Sequence, residues 1–282
     1  MMTKSDAHVK VERRQSMIGA LTMIPAGLMG IAAMICGGVS PVLWGQQAAA
    51  LVLVVLAALL VRRTERKRHA ALWSGILLLI LAAALFGPEA GGVRRWVRIG
   101  PFSVNAAMLV LPALLVLLSD MERFYPLLLG AAVILSIQPD VSQLMAFAAA
   151  AVPQLWRGRT KRGWTLLSAA ALALLMINCL RMPSSVESAP YSEGVMAMLA
   201  EISWLLAAAG GMALAAVPAF WGWRFFRERK VWMLSLAVYQ AVMILFGLSG
   251  QYPIPFMGFG LSPIIGYGLA QLFAPDAAQN TF

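Results

Sequence analysis

The chain has 282 residues, of which 61% are hydrophobic and 12% are charged, and its net charge is +10. A soluble domain carries about 45–50% apolar and about 25% charged residues, so this chain has too little charge to cover a soluble surface. The composition excludes a soluble enzyme, a disordered protein and a nucleic-acid-binding domain, and it indicates an all-α polytopic membrane protein.

Ten apolar segments follow one another along the chain, and each is a candidate for a membrane-spanning helix, which needs about 20 apolar residues. They cover residues 17–37, 42–61, 70–86, 103–118, 124–137, 141–156, 163–180, 195–221, 231–249 and 258–273. We therefore expect a single transmembrane domain over 17–273, with cytoplasmic tails at 1–16 and 274–282.

The basic residues between these segments predict the orientation of the chain. Cytoplasmic loops carry an excess of lysine and arginine. With both termini in the cytoplasm, 18 of the 22 lysines and arginines lie inside, and the four exceptions are Arg94, Arg95, Arg98 and Arg181. This distribution favours ten spans over nine or eleven, which would place large basic clusters on the wrong side.

Cysteine and histidine give no indication of a metal centre. Cys36 and Cys179 lie inside apolar segments, and His8 and His69 lie in charged loops. Neither a disulfide framework nor a His/Cys metal site is indicated. The sequence shows no required cofactor and gives no basis for assigning a divalent metal.

Three of the four outer basic residues crowd into one loop, residues 91–101, against the positive-inside tendency. Its candidate binding residues are Arg94, Arg95, Trp96 and Arg98. Arginine forms planar bidentate hydrogen bonds to phosphate, and tryptophan can stack on a guanidinium or lie at the headgroup level. The loop is either an anion site or an ordinary loop whose arginines meet lipid headgroups.

Asp140 follows a proline that separates the fifth and sixth segments, which we expect to form a tight helical pair. One interpretation is that its carboxylate caps the next helix by accepting hydrogen bonds from free backbone amides. The other is that the carboxylate pairs with the arginine loop or belongs to a functional site.

Two glutamates mark the eighth segment. Glu193 lies just before it, where the helix dipole favours a carboxylate. In a continuous helix, Glu201 would lie about 12 Å deeper in the membrane. An ionisable residue within a span is a functional candidate by default, and its alternative is a protonated or hydrogen-bonded packing residue.

Prolines and glycines are dense in residues 251–263 and exclude a regular helix until about Gly258. Non-helical backbone at membrane depth is tolerated where it is buried in protein or lines a cavity. The segment is therefore either part of such a site or a stiff turn before the last span.

Three of these segments resemble, in the same order, motifs of the SEDS proteins (shape, elongation, division and sporulation) of the RodA/FtsW type. Residues 95–105 resemble the family's Arg-Trp…Gly…Phe-Ser-Ile-Gln stretch, and residues 135–140 resemble its Gln-Pro-Asp-Leu-Gly-Thr motif. Residues 252–262 are similar to its Pro-Leu-Pro-Phe-Ile-Ser-Tyr-Gly-Gly-Ser run. Ten spans with both ends inside are also the family's layout.

The resemblance implies a helical membrane bundle in the bacterial inner membrane. It also implies polymerisation of glycan strands from lipid II, an undecaprenyl-diphosphate-linked precursor, usually with a partner transpeptidase or another division or elongation protein. Glu193 would take the place of the family's essential Asp, with Arg94, Arg95 and Arg98 on the diphosphate. Asp140 would orient the arginines, and Trp96 and Glu201 complete the candidate substrate-binding set.

The chain departs from the family in several positions. Met108 and Leu111 stand where the family's fourth span has Glu and Lys, and the loop before Glu193 is shortened. Three functions therefore stay open. They are a glycosyltransferase, a non-catalytic protein that binds a lipid-linked precursor or a division partner, and a transporter or flippase of a polyprenyl-linked sugar that uses Glu201.

Overall fold

The computed structural model describes residues 17–60, 69–100, 102–156, 162–182 and 191–274. The predicted N-terminal tail, most of the C-terminal tail and many of the basic residues used for the orientation lie outside these ranges. The orientation of the termini therefore stays a prediction.

The described chain is an all-α bundle with one short β-hairpin. Its elements, in chain order, are α1 (Met17–Cys36), α2 (Pro41–Leu60), α3 (Ala70–Ala83), β1 (Trp96–Ile99), β2 (Phe102–Asn105), α4 (Ala106–Ser119), α5 (Tyr125–Ile137), α6 (Val141–Trp156), α7 (Arg162–Arg181), α8 (Val195–Ile202), α9 (Trp204–Glu228), α10 (Val231–Leu248) and α11 (Leu261–Leu272). Each of the ten predicted segments is helical. By length and composition α1, α2, α7, α9 and α10 can cross a membrane, whereas α3 to α6 are apolar but shorter.

Helix α4 forms the centre of the bundle. It packs against α3, α6, α10 and α11, and all of its residues except Leu109 are buried. A helix that is apolar on every side is stable only when other helices surround it, and α4 has this composition. The Asn105 side chain caps its first turn by accepting a hydrogen bond from the Met108 amide at 3.0 Å.

The arginine loop of the sequence analysis forms a β-hairpin in part. Strands β1 and β2 are antiparallel, with Trp96 opposite Asn105 and Ile99 opposite Phe102. Gly100 begins the turn with a φ of +61°, a left-handed conformation that glycine adopts without steric cost. We refer to the end of the bundle that carries β1 and β2 as the hairpin end.

The predicted continuous span over 195–221 is wrong, because Ser203 separates α8 from α9. Its backbone is extended, with φ −168° and ψ 135°, and its hydroxyl accepts a hydrogen bond from the Leu205 amide at 3.2 Å, which starts a new helix. The Leu199 side chain packs so close to Gly210 that a Cβ there would lie 2.9 Å from Leu199 Cδ1. Helix α8 therefore folds back along the first turns of α9.

The prediction of non-helical backbone before the last span is confirmed. The proline loop, residues 249–260, joins α10 to α11 without helical structure, and α11 begins at Leu261. Phe256 in this loop has a φ of +66°, which is uncommon for a residue with a side chain. The loop is held by surrounding residues at the hairpin end.

Candidate functional site

Four separate parts of the chain meet at the hairpin end. The Asn105 amide donates a hydrogen bond of 2.8 Å to the Ser262 hydroxyl, which joins the hairpin to the start of α11. The Gln138 side chain donates one of 2.9 Å to the Leu81 carbonyl, which joins the α5–α6 turn to the end of α3. The segments that sequence analysis singled out are therefore neighbours in space.

Arg95 is buried in this end, with 4% of its surface exposed. Its carbonyl accepts a hydrogen bond from the Ala106 amide at 3.0 Å, and its guanidinium carbon lies 4.7 Å from the centre of the Trp96 ring. Of the two roles that the sequence left open for Trp96, this geometry corresponds to stacking on a guanidinium. Arg95 Nε has no hydrogen-bond partner, and an unpaired buried donor is costly. The position can accept an anion.

The other two arginines of the predicted anion site lie elsewhere. Arg94 is exposed and pairs with Glu89, with 2.9 Å between its terminal nitrogen and the carboxylate. Arg98 is exposed on β1, opposite Ser103. The structure thus brings Arg95 into the buried end of the bundle and separates it from Arg94 and Arg98.

The capping interpretation of Asp140 is confirmed. One carboxylate oxygen accepts hydrogen bonds from the Ser142 hydroxyl at 3.0 Å and from the Gln143 amide at 3.4 Å, at the start of α6. The carboxylate is thus held at the start of α6, and no arginine of the described ranges forms a salt bridge with it. Its other oxygen has no hydrogen-bond partner, although only 2% of the residue is exposed.

The Tyr252 hydroxyl of the proline loop is influenced electrostatically by both charges. Burial raises the pKa of its hydroxyl above the ordinary value, the Asp140 carboxylate raises this pKa further, and the Arg95 guanidinium lowers it. Both charges therefore lie near this one hydroxyl. The phenol stays protonated at neutral pH and is available as a hydrogen-bond donor.

Glu193 is also at this end, with 8% of its surface exposed. The two residues before it pair with the proline loop, since the Tyr191 carbonyl accepts a hydrogen bond of 2.8 Å from the Phe259 amide and the Ser192 carbonyl accepts one of 3.2 Å from the Ile254 amide. The carboxylate is thus attached to a segment whose backbone is fixed.

Glu201 lies elsewhere. It is exposed on the last turn of α8, which folds back instead of continuing along α9. Helix α8 is continuous from Val195 to Ile202, so the separation of about 12 Å along its axis between Glu193 and Glu201 does not depend on the break at Ser203, which comes after both.

Gln47 is a residue of this end that the sequence analysis missed. It is fully buried in α2, and its side-chain amide donates hydrogen bonds to the carbonyls of Phe256 at 2.7 Å and Met257 at 3.3 Å. The available signal was a glutamine within an otherwise apolar helix, where a polar group requires a partner.

The described side chains were also compared with the arrangements that hold metal ions. Within the five described ranges, no group of three or more histidine, cysteine, aspartate or glutamate side chains is arranged to hold a metal ion.

Comparison with known proteins identifies the fold. No protein-family model and no curated protein sequence matches the chain. The solved structure of the rod shape determining protein RodA of Thermus thermophilus matches with a TM-score of 0.65 and 21% identity, over 93% of this chain and 97% of that one.

Two further solved structures agree with this match. An Asp-to-Ala mutant of the same RodA gives a TM-score of 0.65 at 21% identity, over 93% of this chain and 98% of the other. A chain of a peptidoglycan synthase complex gives 0.68 at 19% identity, with the same coverage. The chain has the polytopic helical fold of RodA, which is the fold that the SEDS resemblance implied.

Proposed function

We propose that this protein acts in bacterial cell-wall synthesis as a SEDS-type glycosyltransferase of the inner membrane, with lipid II as its substrate. The observation that carries the proposal is the burial of Arg95, Asp140 and Glu193 at one end of a bundle with the RodA fold. Buried charges are costly in a membrane protein and are functional candidates by default. In transfer from a sugar diphosphate, a carboxylate can act as the general base and a guanidinium can stabilise the leaving diphosphate.

The proposed chemistry uses Glu193 and Arg95. The Glu193 carboxylate accepts the proton of the attacking sugar hydroxyl. At the same time, the oxygen of that hydroxyl forms the new bond to the anomeric carbon of the second sugar. The bond between that carbon and the diphosphate oxygen breaks, and the polyprenyl diphosphate leaves with the bonding electrons. The Arg95 guanidinium stabilises the negative charge that develops on the leaving diphosphate.

Non-catalytic binding of a lipid-linked precursor is the second candidate, and one observation favours it. Met108 and Leu111, at the positions of the family's charged residues, are buried within the apolar core around α4. The two charges of the family's fourth span are thus replaced here by apolar side chains. In this alternative Arg95 retains its ligand and Glu193 has no role in bond formation.

We also propose a transpeptidase as the partner. Its support is the match to a chain of a peptidoglycan synthase complex over 93% of this chain. Activity is therefore to be measured both with and without a candidate transpeptidase.

The experiment that tests the function is polymerisation of lipid II by the purified protein, with glycan products separated by size. We expect Glu193→Gln to lower the rate by about 100- to 10,000-fold, because the isosteric amide cannot accept the proton. Glu122→Gln is the matched control, since Glu122 is an exposed carboxylate on the α4–α5 loop at the opposite end of α4.

The outcomes separate the candidate functions. Polymer that depends on Glu193 and not on Glu122 supports the glycosyltransferase. Absence of polymer from the wild type, with lipid II retained and then released by Arg95→Ala, assigns the protein to the binding class. Transport of a lipid-linked sugar into vesicles that requires Glu201 and not Glu193 assigns it to the transporters.

A further inference from the structure

Gln47 is a polar side chain in the apolar interior, and it forms hydrogen bonds to the proline loop. It is fully buried, and its amide nitrogen donates to the carbonyls of Phe256 at 2.7 Å and Met257 at 3.3 Å, more than 200 residues away in sequence. Burying an amide costs solvation; these two bonds satisfy the amide nitrogen, whereas the buried Oε1 accepts no hydrogen bond. The contact links α2 directly to the proline loop.

Contacts from outside the proline loop matter because two of its residues lack an amide hydrogen and one has an uncommon backbone conformation. Pro253 and Pro255 have no amide hydrogen to donate, and Phe256 has a left-handed φ of +66°. A residue in that conformation persists only where its surroundings hold it. Gln47 accordingly binds the carbonyl of Phe256 itself and that of the next residue.

Helix α1 holds the loop from another side. A Cβ on Gly30 would lie 2.0 Å from the Met257 carbonyl oxygen, so this glycine permits the loop to contact the helix backbone. The Met257 carbonyl thus lies between Gly30 of α1 and Gln47 of α2. Its position is determined by two helices.

The proline loop is in turn hydrogen-bonded to the segment that precedes Glu193. The amides of Ile254 and Phe259, on the two sides of the segment that Gln47 holds, donate to the carbonyls of Ser192 and Tyr191. Ser192 immediately precedes Glu193. One chain of hydrogen bonds therefore runs from Gln47, through the proline loop, to the backbone beside the Glu193 carboxylate.

We propose that Gln47 is a positioning residue, which fixes the proline loop and through it the Glu193 carboxylate. The importance of that carboxylate rests on the proposed function, but the mechanical link from Gln47 to Ser192 does not. The test therefore has one arm that measures the link and one that measures catalysis.

The first arm is amide hydrogen exchange of the intact protein in lipid nanodiscs. In Gln47→Met, which keeps the length of the side chain and removes the donor, we expect the Ile254 and Phe259 amides to exchange about tenfold faster. Gln154→Met is the matched control. Gln154 is also buried, and it donates to the Leu115 carbonyl at 2.9 Å, far from the proline loop.

The second arm compares steady-state polymerisation. Because a small misplacement of a reacting group costs up to about 100-fold, we expect Gln47→Met to lower kcat by about 10- to 100-fold and to change KM by less than about twofold. In the Glu193→Gln background it should cause no additional loss, since the group it positions is already inactive. Gln154→Met should leave kcat and KM unchanged.

Several results would overturn the proposal. Unchanged exchange of the loop amides in Gln47→Met excludes the link, whether or not the wild type makes polymer. A further loss of kcat in the Glu193→Gln background excludes action through Glu193. If Gln47→Met does not fold, Gln47→Asn replaces it, beside Gln154→Asn. The shorter side chain keeps its amide but should not reach both carbonyls. Unchanged exchange of the loop amides, or a further loss of kcat in the Glu193→Gln background, would overturn the proposal for this variant as well.

Discussion

At the scale of single residues, the structure separates arginines that look equivalent in sequence. Among the charged side chains in the described ranges, Arg95, Asp140, Glu193 and Arg224 are buried, and the first three lie at the hairpin end. Arg224 pairs with Glu228 near the end of α9. Arg95 differs from it because its buried Nε lacks a hydrogen-bond partner.

Arg95→Lys is expected to weaken retention of lipid II about tenfold or more. Lysine keeps the charge but loses the planar fork and the stacking on Trp96. The measurement is the affinity for labelled lipid II, with Arg181→Lys as the control because Arg181 is exposed at the end of α7. Equal affinities of the two variants would contradict the assignment of the diphosphate to Arg95.

At the scale of the elements, close approach of backbones determines how the helices fit. Helix α11 lies against α4 so closely that a Cβ on Gly266 would be 2.1 Å from the Met108 carbonyl oxygen. Small residues at helix interfaces permit such packing in membrane proteins. Gly266 is therefore needed for the position of α11, and through Ser262 for that of the hairpin.

Gly266→Ala is expected to destabilise the protein by about 1–3 kcal/mol, because the added methyl group overlaps backbone that cannot move. Gly75→Ala in α3 is the matched control. No atom lies within 4 Å of the added Cβ, and alanine has the better helix propensity. Thermal unfolding in detergent should show a lower Tm for the first variant only. A shared decrease would indicate that glycine is required in these helices for another reason.

Most of the helices, but not every break between them, were predictable from the sequence. The ten helical segments followed from composition alone, and the α5–α6 break followed from a proline. The break at Ser203 was missed because the apolar run continues through Ile202 and Trp204, so hydropathy does not change there. The hairpin was missed because its strands have four residues each, too few for a clear alternation.

The residues of the site were predictable by type but not by grouping. The sequence marked Arg95, Asp140 and Glu193 through their position next to apolar segments. It could not separate Arg95 from Arg94 and Arg98, because the burial of a residue in or beside a short hairpin depends on which side the tertiary structure covers. Gln47 was missed because its partners are backbone carbonyls far away in the chain, which leave no side-chain pattern.

At the scale of the whole molecule, the structure agrees with one feature of the predicted orientation, namely which segments lie on the same side. Segments predicted to lie outside, including the hairpin, the α5–α6 turn and the proline loop, meet at one end of the bundle. The α4–α5 loop lies at the other end of α4. A site for an outer-leaflet precursor requires the hairpin end to face outward.

Cysteine labelling in intact cells tests that orientation. In a chain with Cys36 and Cys179 replaced by alanine, we expect Ser103→Cys to react with a membrane-impermeant maleimide. Ser103 is exposed on β2. Glu122→Cys on the α4–α5 loop should react only after the cells are permeabilised. The opposite pattern would reverse the orientation and remove the outer-face assignment.

The short length of α5 has a consequence for the surrounding lipid. Its 13 residues extend about 20 Å at 1.5 Å per residue, whereas the hydrocarbon layer is about 30 Å thick. One side of α5 packs on α3, α6 and α7, while Val133 and Ile137 are exposed. Lipids beside α5 relieve this mismatch by thinning, at a cost of fractions of a kcal/mol per Å. For the lipid-linked substrate of the proposed function, such thinning beside α5 would bring the headgroup closer to Asp140, which follows this helix at the hairpin end.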